Sequence, residues 1–205
     1  MDLSHPPIMT KSINIIDNVL PERTFISLAS NCMNSDGYYC YDSTTYHDEE
    51  DGSKSAFGAD IGVTDVKFHQ VLFNFNLFKK IGKQQTAHDL FYYLKSEGHI
   101  KTLWDVLNVK SMIQMRLNCT TAADQNYQGG FHTDFYDDQP HIEKLKTAVL
   151  YLNSNNGGTQ IQDGEFIQSV ANRIVIFPTT QPHAGVWATN KKLRFVLNLN
   201  YLENE

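Results

Sequence analysis

The segment Phe131-His132-Thr133-Asp134-Phe135 sets an imidazole and a carboxylate two positions apart between aromatic residues. In a strand, residues i and i+2 project from the same face, about 7 Å apart along the chain. Two arrangements suit such a pair: a His–Asp hydrogen bond at a strand end, or two ligands of one metal ion. A metal needs a third ligand. Of the eight histidines, His5 lies in the N-terminal tail and His47 in an acidic loop. His69, His88 and His99 lie in a stretch that reads as helical, where surface or helix-packing roles suffice. His141 follows Pro140 in a charged connection. His183 stands apart: it follows the apolar run RIVIFP and the turn TTQP, and opens a further β-rich segment.

Two histidines and one carboxylate make the facial ligand set of non-haem iron(II) oxygenases. Three ligands fill one face of an octahedron and leave three positions for a co-substrate and O2. A single carboxylate leaves the centre net positive, so it attracts anionic ligands. The imidazoles must bind as neutral rings, and their second nitrogens need partners. A zinc hydrolase could use the same ligands. Arg194, in the alternating segment LRFVLNLNYL, adds a further element. A guanidinium aimed into a barrel is costly unless it meets an anion, and arginine binds carboxylates through two parallel bonds. It could also close a strand end by pairing with an acidic side chain. One hairpin beyond His183, it can sit deeper in the same cavity, where the far carboxylate of a chelating keto acid would lie. A zinc hydrolase leaves that arginine unexplained.

These residues need elements to position them. The chain has 205 residues, enough for one domain with a full core, and 41% of them are hydrophobic. Residues 12–19 read as a short strand, and Pro21 opens a helix whose buried stripe is Phe25, Ile26, Leu28 and Ala29. Residues 41–60 are polar and rich in turn formers, so they read as a surface loop able to fold over the site as a lid. From about Val63 to Leu107 the pattern is mostly helical. Val71, Leu72, Phe75 and Phe78 share one face, as do Leu90, Phe91 and Leu94, and Trp104 and Leu107 close the layer. After Ser111 the texture becomes short β-rich segments separated by turns. Residues 1–110 therefore read as mainly helical support and 111–205 as a catalytic core. The fold class is α+β, with helices on one face of a cupin-like jelly roll, a double-stranded β-helix.

The formal net charge is −6, with no long basic run, which disfavours nucleic acid as a partner. No stretch approaches the ~18 apolar residues of a membrane span, and the N-terminus lacks a signal peptide's apolar run. Cys32, Cys40 and Cys119 have no zinc-like spacing and read as structural thiols of a reducing, cytoplasmic compartment.

His132-x-Asp134, His183 about fifty residues later, and Arg194 one hairpin beyond resemble the 2-oxoglutarate- and Fe(II)-dependent oxygenases. The prolyl 4-hydroxylase-like branch is the nearer match. The resemblance runs over roughly Met112 to Leu202, where GGFHTDF, KTAVLYLN, NNGGTQI, NRIVIFPTTQPHAGV and LRFVLNLNYL fall in the family's order. It implies that His132, Asp134 and His183 bind iron and that Arg194 holds the C5 carboxylate of 2-oxoglutarate. It further implies that Tyr151 hydrogen-bonds the same carboxylate, with Thr147 and Asn198 pointing into the same barrel. The implied reaction consumes O2 and 2-oxoglutarate, releases succinate and CO2, and hydroxylates an unactivated C–H bond. Ascorbate would support it as a reductant.

The substrate that the resemblance favours is a prolyl residue in a protein or peptide. The alternatives are free proline or another small metabolite, and a non-catalytic jelly-roll binding module. Nucleic-acid demethylation is disfavoured because Asn200 stands where that branch carries a second arginine. Halogenation is disfavoured because Asp134 is present. Tyr127, Phe135, Tyr136 and Trp187 are the aromatic candidates for lining the mouth, with core packing as the rival role for each.

Overall fold

The segment LRFVLNLNYLE near the C-terminus alternates so regularly that it must form a strand with two unlike faces. In the computed structural model, which describes residues 13–35, 39–42, 66–74, 86–135 and 142–204, it is β11, Leu193–Glu203. Before it come β1 (Asn14–Ile16), α1 (Glu22–Met33), β2 (Tyr39–Asp42), β3 (Val66–Asn74) and β4 (Thr86–Ala87). Next are α2 (Asp89–Ser96), α3 (His99–Val106), β5 (Val109–Thr121) and β6 (Leu145–Tyr151). The short strands β7 (Gly158–Ile161), β8 (Phe166–Gln168), β9 (Ile174–Pro178) and β10 (His183–Val186) complete the set.

The strands form two sheets. The larger runs β1-β9-β6-β11-β5-β3-β2, with β4 added beside β3; the smaller runs β10-β7-β8. Every pairing is antiparallel. Single bridges from Gln128 and His132 to β10 extend the smaller sheet. Phe195, Leu197, Leu199 and Tyr201 of β11 join Leu28, Leu94 and Leu103 of the helices in the main core. Val196, on the opposite face, joins Val149, Tyr151, Phe177, Ile161 and Ile167 between the two sheets. The result is an α+β double-stranded β-helix with helices on the outer face of its larger sheet.

Most of the expected elements are present. Pro21 directly precedes α1, and Leu28, Ala29 and Cys32 form its buried stripe with Phe25 partly buried. Ile26 is a correction. It is 58% exposed, because a stripe at positions 25, 28, 29 and 32 turns position 26 about 100° away. The helical reading of residues 63–107 is corrected more substantially, since Val66–Asn74 is a nine-residue strand paired with β5. The register shifts between Val71 and Phe73, as a β-bulge requires. Leu72 and Phe73 therefore both join the helix-side core, and the bulge breaks the alternation that would have marked a strand. Phe75, Phe78 and most of the expected 41–60 loop lie outside the described residues. His88 caps α2 by accepting from the Leu90 N–H, and buried His99 bonds Ser27, as packing histidines would.

Two outcomes test this packing. Leu197 is fully buried, so Leu197→Ala should cost roughly 2–5 kcal/mol in a guanidinium unfolding titration. Burial pushes the Cys32 thiol up to about 12 and Cys119 up to about 11, and neither is in a disulfide. Near neutral pH a disulfide reagent should leave both unlabelled until the protein is unfolded; rapid native-state labelling would contradict the fold.

Candidate metal centre

β10 begins with His183, and His132 faces it across the edge of the small sheet. The N–H of each donates to the carbonyl of the other at 3.0 Å, so the backbone itself fixes the spacing. Their ring centroids are 4.7 Å apart, and Phe177 lies against the His183 ring at 4.8 Å. His132 Nδ1 is 3.2 Å from the Gly130 carbonyl, and His183 Nδ1 is 3.2 Å from the Gln181 carbonyl. A carbonyl can only accept, so each Nδ1 carries a proton, and Nε2 is the nitrogen that a neutral ring leaves for a metal. That is the tautomer a metal ligand needs.

Asp134 completes the cluster. One ligand atom from each of His132, Asp134 and His183 lies within 4.8 Å of the others. Asp134 Oδ2 accepts from the Thr147 hydroxyl at 2.9 Å and from the Asn200 amide at 2.6 Å. The same amide also donates to the Thr147 hydroxyl at 3.0 Å. Oδ1 faces His183 Nε2 at 4.0 Å and receives Arg116 Nη2 at 3.3 Å. Burial would push this carboxyl up. His183, Arg116, His132 and the Asn200 amide together outweigh it and hold the group well below the usual carboxylate range. An ionised carboxylate beside two imidazoles is a cation site of the two-histidine, one-carboxylate type.

Arg194 projects from the same face of β11 and is buried. Its Nε donates to Ser169 Oγ at 3.0 Å and its Nη2 to the Gly158 carbonyl at 2.8 Å. Gly158 must be glycine, because a Cβ there would collide with the Ile167 carbonyl. The guanidinium carbon lies 5.7 Å from the centre of the Tyr151 ring. The Tyr151 hydroxyl donates to Thr159 Oγ1 at 2.8 Å. Among the described residues no carboxylate pairs with Arg194, so the strand-end ion pair entertained above is absent. Burial works against its charge and draws its pKa down.

The face between Asp134 and Arg194 is polar. On β5, Thr120 lies opposite Arg194, Asn118 opposite Val196, and Arg116 opposite Asn198. Asn118 Oδ1, Thr120 Oγ1, Asn198 Oδ1, Asn200 Oδ1 and Arg116 Nε are buried without a hydrogen-bond partner. They are five of the seven such atoms among the described residues. Each buried polar atom left unpaired costs roughly 1–3 kcal/mol. Their concentration on one face marks a surface that a polar ligand would satisfy. The Asn118, Asn198 and Asn200 oxygens can only accept, so an anionic chelator would be held instead by a cation at Asp134, the Thr120 hydroxyl and Arg194, which has no carboxylate partner among the described residues.

The expected residues therefore divide. His132, Asp134 and His183 come together, and Arg194, Tyr151 and Asn198 line the same inner face. Thr147 also points inward, but its hydroxyl is given to Asp134. Trp187 is 5% exposed and packs on Tyr127, with ring centroids 5.2 Å apart and Gly129 against its ring, so it is buried rather than lining an open mouth. Phe135 is partly buried, and Tyr136 lies outside the described residues. The sequence reading missed Arg116, Asn118, Thr120 and the support role of Asn200. A signal existed: in MIQMRLNCTT, Gln114, Arg116, Asn118 and Thr120 alternate with Met115, Leu117 and Cys119.

No protein-family model matches the chain, and no curated protein matches it. Solved structures do. A Pseudomonas putida prolyl-4-hydroxylase aligns over 96% of this chain and 95% of its own, with TM-score 0.52 and 18% identity. A 2OG-Fe(II) oxygenase family oxidoreductase from Burkholderia pseudomallei aligns over 94% and 86%, with TM-score 0.60 and 9% identity. A non-heme alpha ketoglutarate dependent epimerase from nogalamycin biosynthesis aligns over 94% and 78%, with TM-score 0.56 and 11% identity. The chain thus has the fold of the 2-oxoglutarate- and iron(II)-dependent oxygenases, with a His–Asp–His cluster set between its two sheets.

Proposed function

We propose that this protein is an iron(II)- and 2-oxoglutarate-dependent dioxygenase that hydroxylates an unactivated C–H bond. One observation carries the reading: a buried guanidinium without a carboxylate partner faces, across a row of unsatisfied polar atoms, a His–Asp–His cluster. In this reading His132, Asp134 and His183 hold iron(II), and Arg194 holds the distal carboxylate of 2-oxoglutarate. Tyr151 braces that guanidinium through its ring, and the Thr120 hydroxyl donates to the co-substrate. Bound iron and 2-oxoglutarate supply the oxidising chemistry, in which O2 is consumed and succinate and CO2 are released. The chain's own residues do the positioning. The Gly130 and Gln181 carbonyls orient the imidazoles, while Thr147 and Asn200 hold one oxygen of Asp134 by hydrogen bonds.

The finer reading is a prolyl residue in a protein or peptide as substrate, supported by the fold likeness to a prolyl-4-hydroxylase. A second reading, a free amino acid or other small metabolite, is favoured by Arg116, whose guanidinium stands beside the cluster. The acidic balance of the chain, −6 overall, argues against nucleic acid.

Under anaerobic conditions, iron(II) and 2-oxoglutarate added to the folded protein should give the visible charge-transfer band of a chelated keto acid. His132→Ala, Asp134→Ala and His183→Ala should each abolish it while the circular dichroism spectrum persists. A folded wild-type protein without the band would sink the oxygenase reading and leave a non-catalytic binding module. Arg194→Ala should raise the dissociation constant of 2-oxoglutarate about thirtyfold or more, since losing one partner of a buried charge pair costs ~2 kcal/mol or above. An unchanged constant would make Arg194 structural. Asn200→Ala and Thr147→Ala should weaken iron(II) binding roughly 10–100-fold, the usual cost of removing a group that orients a metal ligand. Competition with a metallochromic chelator measures this directly.

A further inference from the structure

We infer that Arg116 reads a carboxylate on the substrate, so the substrate class is an acid that carries its carboxylate close to the oxidised carbon. This rests on the oxygenase reading above and specifies its substrate. Arg116 lies on the inner face of β5 opposite Asn198, and Arg194 lies opposite Thr120. Four residues of register separate their backbone positions, roughly 13 Å along the sheet. Arg194 is therefore at the far end and Arg116 at the metal end of one polar face.

Arg116 has a single carboxylate partner among the described residues, Asp134 Oδ1 at 3.3 Å. Its Nε is buried without a partner. The simplest alternative is that Arg116 only steadies Asp134. The other oxygen already has that support from Thr147 and Asn200. Oδ1 is the oxygen left to face the imidazoles, at 4.0 Å from His183 Nε2. A cation on Oδ1 takes one of its two lone pairs and repels the Arg116 charge. Loading the site therefore weakens the Arg116–Asp134 bond and leaves the guanidinium beside a second positive centre, where another anion offsets the repulsion.

In this reading one carboxylate of 2-oxoglutarate would bind the metal and the other Arg194, which leaves no free carboxylate for two parallel bonds to Arg116. The substrate is the source of such an anion. The Arg116 side chain is 28% exposed while that of Asp134 is 1% exposed, so the guanidinium opens outward as the ligand oxygen does not. A planar fork beside the metal suits a carboxylate bound through two parallel bonds. A free amino acid, a chain-terminal residue or an acidic side chain meets this demand. A prolyl residue in a peptide meets it where a chain end or an acidic neighbour supplies the carboxylate.

Acetate tests the inference without knowledge of the substrate, with acetamide as its neutral isostere. The Arg116 Nε–H resonance would be followed in nitrogen-labelled protein loaded with diamagnetic Zn(II) and 2-oxoglutarate. Its identity comes from its loss in Arg116→Gln, or in Arg116→Lys if the first variant does not fold. Acetate should shift it saturably, with a dissociation constant at least about tenfold below that of acetamide, as a charge-assisted bond requires. Metal-free protein should bind acetate at least about tenfold more weakly, because Asp134 then reclaims the guanidinium. No shift, an equal response to acetamide, or equal affinity without metal overturns the role of Arg116. If iron(II) and 2-oxoglutarate give no charge-transfer band in folded protein, the oxygenase reading falls and takes this inference with it. A band without an acetate response removes the inference alone.

Discussion

The register of β11 between β5 and β6 is the constraint on which the rest of the site depends. Opposite each other stand Arg194 and Thr120, Asn198 and Arg116, and Asn200 and Thr147. A slip of β11 by one residue would send Arg194, Asn198 and Asn200 into the helix-side core and bring Leu197 and Leu199 into the cavity. The apolar face prevents it. Phe195, Leu197, Leu199 and Tyr201 are all buried against the helices, and each large side chain buried contributes ~1.5–3 kcal/mol. The helices thus act on the site without touching it: by filling one face of β11 they hold the other face in register.

The inner face is an unusual place to put polar groups. Asn118, Thr120, Asn198 and Asn200 lie on two central strands and are at most 7% exposed. Their unpaired oxygens, added to an arginine without a carboxylate partner, weaken the protein taken alone. Such a face is consistent with a surface whose partner is a ligand rather than the chain. The polarity is also graded along β11. Asn200 is at the Asp134 end, Asn198 follows, and Arg194 is last, so the face has a cationic far end and a carboxylate near end.

Much of this was legible in the residues. The HxD pair, the distal histidine and the following arginine are close in space because strands bring i and i+2 to one face and hairpins return neighbours. Their types limited the chemistry before any fold was known. The helical reading of residues 66–74 failed for a physical reason: one extra residue at Leu72 places two consecutive apolar side chains on one side, and a bulge leaves no residue-level mark. The supporting residues failed differently. Arg116, Asn118 and Thr120 were visible as polar alternation in β5. A polar alternating face normally means solvent, and only the smaller sheet, lying far off in sequence, shows that this face is covered. Thr147 pointed inward as expected, yet its donation to Asp134 depends on Asn200, a contact 53 residues away in the chain.

The cluster is held by bonds that do not involve a metal. Two backbone hydrogen bonds fix the separation of His132 and His183, two carbonyls set their tautomers, and two side chains fix one oxygen of Asp134. The remaining oxygen and the two Nε2 atoms converge. A site that folding itself assembles loses little order when a cation arrives, so the affinity of the cluster reflects donor chemistry more than reorganisation. Arg116 shares Oδ1 with an incoming cation and is repelled by its charge. On the role inferred for Arg116, that repulsion couples loading of the site to binding of an anionic partner, with Asp134 as the shared group and no moving domain.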